Sequence, residues 1–240
     1  MKRVDSYGFE KLEAEYILKR AALANERMRY LILRLPDVIG PFDDSGRFWA
    51  YLLWLPQHGD APLQLDNGDQ TKPLSFVFSE DVVDVIMGVL AQVTRGEPPE
   101  SSSFKIEVHG PPGEERKEKV GSVCGGFGEN AIFNLAFEET PSLKEFLELV
   151  GECAGAGRPL EIARVVEPDT FYPSVNCGPV AIDRAKKSLG FEPTSLKEAV
   201  RKTVAFFEKV DKAHCEKEYH NVLKKLPAEV KAVLQGTKKP

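Results

Sequence analysis

The sequence predicts an α/β protein, and three observations predict it. A helix-forming stretch at 7–24 runs into a short, β-rich apolar run at 29–35. Strand-like and helix-like stretches then keep alternating as far as residue 210. The composition, 42% hydrophobic and 29% charged over 240 residues, is that of a folded chain long enough for one substantial domain or a domain and a half.

The elements follow in order. Residues 7–24 are rich in helix formers with apolar residues at helical spacing. The strand at 29–35 is stopped by Pro36 and by Gly40-Pro41, which open a loop. Residues 46–56 form a strongly apolar helix, whose Trp49, Tyr51 and Trp54 read as core. At 63–70 the Asn67-Gly68 pair suits a tight turn and predicts a small hairpin. A strand at 74–78 leads to a helix that starts at Glu80-Asp81, acids suited to the positive end of a helix dipole, and runs to about Gln92. Val82, Val83, Val85, Ile86 and Val89 are expected on its buried side. Residues 97–130 are rich in Gly, Pro, Ser, Glu and Lys and read as a flexible insertion. A strand at 131–136 and a helix at 141–152 follow, the helix N-capped by Ser142 with Glu145 three residues on. A strand at 160–164 and helices at 181–189 and 195–210 complete the folded part.

Charge and composition exclude several classes. With 37 acids against 32 bases the chain carries a net charge of −5, wrong for a general nucleic-acid binder. No apolar stretch approaches the ~20 residues that span a bilayer, and Met1-Lys2-Arg3 leads into no apolar leader. Cys124, Cys153, Cys177 and Cys215 lie far apart, without the spacing of a disulfide framework or zinc ribbon; the reading is a cytoplasmic protein in a reducing compartment.

Tyr7 and Lys11 stand four apart at the start of the first helix, one turn apart on one face. A phenol at its ordinary pKa of about 10 is a poor base at neutral pH, and a neighbouring ammonium stabilises the phenolate. Such a pair can exchange a proton with a substrate hydroxyl while hydride leaves the same carbon. In a chain this rich in lysine the spacing also arises by chance, on a solvated helix face.

The order of segments separates the two. Around Tyr7 and Lys11, SYGFEKLEAE resembles the active-site helix of the extended short-chain dehydrogenases/reductases, the NAD-dependent epimerase/dehydratase family. LILRLPDVIGP resembles that family's next strand and its Arg-x-x-Asn-x-x-Gly-Pro loop, and LDNGDQTKPLSFVFSEDVVDVI its substrate-meeting segment. FNLAFEETPSLKEFLELV is similar to its late strand–helix unit, and DRAKKSLGFEPTSLKEAVRKTVAFF to its closing helix–loop–helix. The resemblance covers about 7–96 and 131–208. It implies a partial Rossmann-like, doubly wound sheet joined to a smaller mixed α/β substrate-binding lobe. It implies the C-terminal part of an NAD(P)-dependent epimerase, dehydratase or reductase acting on a hydroxyl or carbonyl substrate, sugar-derived in many members. Tyr7 would be the general acid/base, Lys11 would support it and hold the ribose of NAD or NADP, and Pro36 would line the nicotinamide pocket. The alternative is a catalytically inactive member acting as a binding module, with homodimerisation or association through an uncovered sheet edge left open.

Departures from the family pattern are equally specific. The family's glycine-rich, pyrophosphate-seating first half, on the order of 100 residues at ~30 per βαβ unit, has no counterpart before Tyr7. Asp37 stands where the family has Asn and is the candidate substrate contact; a carboxylate there would repel a diphosphate. Leu74 stands where an arginine commonly anchors a substrate phosphate. GECAGAG at 151–157 mimics a phosphate-binding fingerprint but follows a helix, so it reads as a helix C-terminus; GSVCGGFG at 121–128 reads as loop. His214, Cys215 and His220 lack a fourth ligand in view and read as a solvated face, so no metal site is predicted. Cys177 has no base beside it in sequence that would make it a nucleophile. The expected organisation is 1–96 as a partial Rossmann-like segment, 97–130 as the insertion, 131–211 as the remaining strand and lobe, and 212–240 as a charged helical tail.

Overall fold

The structure is a computed structural model that describes residues 6–25, 28–55, 63–65, 72–95, 102–106, 119–123, 131–156, 162–164, 178–210, 216–226 and 228–235. The chain divides into two compact units, each woven from three stretches of sequence.

The first unit takes residues up to Arg34, then Asp84–Leu135 and Ala181–Glu192. Helix α1 (Ser6–Ala24) leads to strand β1 (Leu31–Arg34). β1 pairs in parallel with a strand a hundred residues later, Ala131–Asn134, in the register Leu31↔Ala131 through Arg34↔Asn134. Parallel pairing between strands so far apart is the signature of crossover α/β architecture. Helix Asp183–Leu189 lies on the later strand: the Arg184 guanidinium sits 4.9 Å from the Phe133 ring centroid. That helix stops at Gly190, whose φ of 62° is the left-handed C-cap conformation that glycine adopts without a Cβ clash.

The second unit comprises Leu35–Val83, Ala136–Val180 and Pro193–Pro240. Its strands β2 (Asp37–Ile39), β3 (Leu63–Leu65) and β4 (Phe76–Phe78) precede the first turn of helix α3 (Ser79–Arg95), and helix α2 (Arg47–Trp54) stands between β2 and β3. β2 and β4 pair in parallel, Asp37↔Phe76 to Ile39↔Phe78. Phe137 N–H donates to Phe76 O at 2.8 Å and Leu74 N–H to Pro141 O at 2.8 Å, laying the segment after residue 136 beside β4. Beyond the strands β5 (Ser102–Ile106), β6 (Lys119–Val123) and β7 (Ala131–Asn134), helix α4 (Leu143–Cys153) opens on a full capping box: Ser142 Oγ accepts from Glu145 N–H, and the Glu145 carboxylate accepts from Ser142 N–H at 2.7 Å. It ends with Gly155 at φ +68° and Ala156 N–H on Gly151 O, so this glycine run closes a helix. The core is aromatic: Phe48, Trp49, Tyr51, Trp54, Phe76 and Phe146 are buried, with Phe76 and Phe146 stacked at 4.4 Å. Strand β8 (Ile162–Arg164) and helix α5 (Asp183–Leu189) precede α6 (Leu196–Lys209), α7 (Glu216–Lys225) and α8 (Ala228–Leu234).

Two expectations are revised, after Pro36 and in α3. β3 pairs in parallel with β8, Leu63↔Ile162; the turn of the hairpin expected at 63–70, Asn67-Gly68, lies outside the described residues. The loop expected after Pro36 contains a strand, β2, because a buried partner in β4 outweighs the local turn signals. In α3, among the described residues, Asp81 and Gly88 are buried and Val82, Val85 and Val89 beside them are half-buried, while Val83 and Ile86 are exposed. The expected buried side is there, but narrower than the run of apolar residues. The 212–240 tail is amphipathic as expected, yet Val222, Leu223 and Leu226 are buried in the aromatic core and Tyr219 lies 5.6 Å from the Trp49 ring. Its charges dominate the sequence, and a few apolar residues at helical spacing suffice to dock it. Within 97–130, β5 and β6 pair antiparallel from Ser102↔Val123 to Ile106↔Lys119.

Candidate functional site

The predicted catalytic pair lies in the first unit. α1 begins at Ser6, so Tyr7 and Lys11 occupy its first two turns, and both are exposed. Lys11 Nζ stands 5.1 Å from the centroid of the Tyr7 ring. An ammonium at that distance from an aromatic face is held by the ring quadrupole. The two side chains share one face, as their spacing requires.

The same face continues in four-residue steps to Glu15 and Lys19. Lys19 Nζ pairs with Glu15 Oε2 at 3.3 Å. Arg34, the last residue of β1, grips both carboxylate oxygens of Glu15, with Nε to Oε1 at 2.7 Å and Nη2 to Oε2 at 2.8 Å. This fork holds the Glu15 carboxyl below the usual carboxylate range, and Glu15 in turn holds the guanidinium charge more firmly. Glu15 and Arg34 are absent from the sequence-based candidates. Glu15 at the next step of the Tyr7–Lys11 face was the available signal; its cross-element partner had none.

Pro36 and Asp37 belong to the second unit, at the head of β2. Pro36 is half-buried. Asp37 is 5% exposed, and Arg47 Nη1 donates to its Oδ1 at 2.6 Å. A carboxylate this deep and this closely paired ties β2 to the start of α2. Leu74, 3% exposed, is a core residue. Between β2 and α2 the chain passes through Gly40, at φ +151°, and Gly46, at φ +66°. A Cβ on Gly40 would run into the Ser79 side chain, which explains the glycine. Asp43 and Asp44 lie in this same turn, so its charge opposes a phosphate.

Other candidates resolve simply. Trp49, Tyr51 and Trp54 are core. His220 is exposed; Cys124, Cys177, His214 and Cys215 lie outside the described residues. Among the described residues no group of three or more His, Cys, Asp or Glu side chains converges as a metal site. Burial pushes the Cys153 thiol up, away from the reactive thiolate. No helix among them is long and apolar enough to cross a membrane.

The fold is thus a partial Rossmann-like α/β fold, and comparison with solved structures shows it. RMD from Pseudomonas aeruginosa, complexed with NADPH, is 20% identical over 84% of this chain and 56% of its own, with a TM-score of 0.54. UDP-glucose 4-epimerase from Thermotoga maritima with UDP-glucose is 19% identical over 85% of this chain and 53% of its own, at 0.55. WbmF from Bordetella bronchiseptica, in complex with NAD+ and UDP, is 15% identical over 94% of this chain and 59% of its own, at 0.59. The chain spans a little over half the length of each. Residues 1–106 match the NAD dependent epimerase/dehydratase family, which covers the first of the two blocks in which the sequence resembles it. No curated protein matches the chain.

Proposed function

We propose that this chain carries the proton-transfer part of an NAD(P)-dependent epimerase, dehydratase or reductase acting on a hydroxyl or carbonyl of a sugar-derived substrate. The observation that carries this reading is Lys11 Nζ over the Tyr7 ring on the exposed first turns of α1, within the segment that matches the family. Tyr7 gives or takes the proton at the substrate oxygen. Lys11 places a positive charge beside the Tyr7 ring. When bound, a nicotinamide cofactor supplies hydride transfer.

The residues present fit one side of that cofactor. Lys11 is an exposed ammonium able to donate to ribose hydroxyls, and the reading assigns Pro36 to the border of the nicotinamide. For the pyrophosphate, the glycine-bearing turn between β2 and α2 is a poor cradle, because Asp43 and Asp44 line its sequence. Asp37 serves the lobe as an anchor for Arg47. The acidic turn also favours the second reading, a non-catalytic interaction module.

One experiment separates the two. NADH and NADPH are titrated against the purified protein, and turnover of UDP- and GDP-sugars is followed for wild type and Tyr7→Phe. Cofactor binding with a loss of about 10²–10⁴ in turnover on Tyr7→Phe, the contribution of a general acid/base, supports the enzyme. Turnover indifferent to Tyr7→Phe refutes the assigned role. Absence of both binding and turnover refutes catalysis by this chain on its own.

A further inference from the structure

We infer that Arg34 is a positioning residue for the Tyr7–Lys11 pair, acting by holding Glu15 so that Lys11 stays on the Tyr7 ring; this rests on the acid/base reading of that pair. Lys11 sits between two candidate partners on one helix face, Tyr7 a turn before it and Glu15 a turn after it. A free carboxylate is the stronger attractor for an ammonium. A Lys11 drawn to Glu15 would leave the phenol without its neighbouring charge.

The structure shows why this does not happen. Glu15 is largely buried, with 12% of its side chain exposed, and both its oxygens are taken. The Arg34 guanidinium forks across Oε1 and Oε2 at 2.7 and 2.8 Å. Lys19 adds a contact to Oε2 at 3.3 Å. The Glu15–Lys19 order, acid before base, is also the favoured arrangement on a helix, whereas Lys11–Glu15 is the reverse. A planar fork satisfies a carboxylate in a way one ammonium does not. Lys11 Nζ is left 5.1 Å from the Tyr7 centroid. Arg34 lies on β1, so the strand following the active-site helix reaches back and sets the charge pattern on that helix.

The test reads Lys11 itself. Protein labelled with 13C at lysine Cε is observed by NMR, and the Lys11 resonance is assigned with Lys11→Met. In wild type the Lys11 ε-protons are expected upfield of an exposed lysine such as Lys144, from the Tyr7 ring current, and Tyr7→Leu abolishes the displacement. Arg34→Met is expected to abolish it too, because Glu15 is released to take Lys11. Adding Glu15→Gln to Arg34→Met is expected to restore it. A purely structural tie between α1 and β1 predicts the opposite, since the double variant would be as disrupted as the single. An unchanged Lys11 signal in Arg34→Met, or no recovery in the double variant, overturns the inference. If Arg34→Met does not fold, Arg34→Lys keeps the charge without the fork. Partial loss, recovered by Glu15→Gln, then supports the inference, and an unmoved signal refutes it. None of these signals requires cofactor or turnover, so a failed acid/base reading and a failed Arg34 role are separately visible.

Discussion

Replacing Arg47 by Met tests whether Asp37 is an anchor. Arg47 Nη1 and Asp37 Oδ1 are 2.6 Å apart, with 4% of the Asp37 side chain exposed and 23% of that of Arg47. Removing one partner of a buried ion pair costs about 3–5 kcal/mol, chiefly because the other charge is left in a poorly solvated site. Arg47 is partly open to water, so water can enter when the guanidinium is removed, and the lower end, about 3 kcal/mol, applies. In a chain of this size each kcal/mol moves the melting temperature by roughly 2–4 °C, so Arg47→Met should melt about 6–12 °C lower. Asp37→Asn combined with Arg47→Met should recover much of the loss, because no charge is then stranded. Thermal and urea unfolding followed by circular dichroism measure both effects. Wild-type stability in Arg47→Met, or a double variant no better than the single, refutes the anchoring role.

Leu223→Ala should cost about 2–5 kcal/mol in urea unfolding, as expected of a leucine that is 6% exposed in the core; a cost under about 0.5 kcal/mol, typical of surface positions, would return the tail to solvent. Gly40→Ala should destabilise by about 1–3 kcal/mol, from its backbone conformation and the Ser79 side chain, and more than Gly155→Ala, where φ is +68° but nothing lies within 4 Å of the added carbon; equal effects would remove Ser79 from the explanation. Hydrogen bonds hold two carboxyls below the usual range in the fold, Glu15 by the Arg34 side chain and Glu145 by the Ser142 backbone N–H. Their stabilisation is complete above the ordinary carboxylate value and is lost as pH falls through the lower folded values. The unfolding midpoint should therefore fall across that acidic window, less steeply in Glu15→Gln or Glu145→Gln; unchanged slopes would refute the linkage.

Where local signals coincide with tertiary packing, the sequence is a good guide. Ser142 and Glu145 spell a capping box three residues apart, and α4 starts there. Trp49, Tyr51 and Trp54 are large and apolar on one short helix, and all three are core. Strand partners are another matter. β1 and β7 are about a hundred residues apart, and nothing in either four-residue run names the other. β2 is three residues long inside a Pro- and Gly-flanked loop, and only β4 makes it a strand. α3 was legible in part: Val82, Val85 and Val89 share the packed side with Asp81 and Gly88, but periodicity does not say how wide a face is covered, and Val83 and Ile86 are exposed.

The site divides along the same line. Tyr7 and Lys11 are readable because their relation is internal to one helix, where spacing alone sets geometry. Glu15 lies on that helix too, yet its meaning depends on Arg34 across a loop, and nothing in the sequence pairs Asp37 with Arg47. In both pairs an arginine decides whether an acid is available. On α1 the arginine occupies the acid and leaves the neighbouring lysine to the phenol; at β2 it buries the acid's charge within the lobe. Counting charged residues in the sequence would place two free carboxylates beside the candidate chemistry. The structure shows neither as free: the Glu15 carboxylate, one turn from Lys11, is gripped by Arg34, and in the other unit that of Asp37 pairs with Arg47.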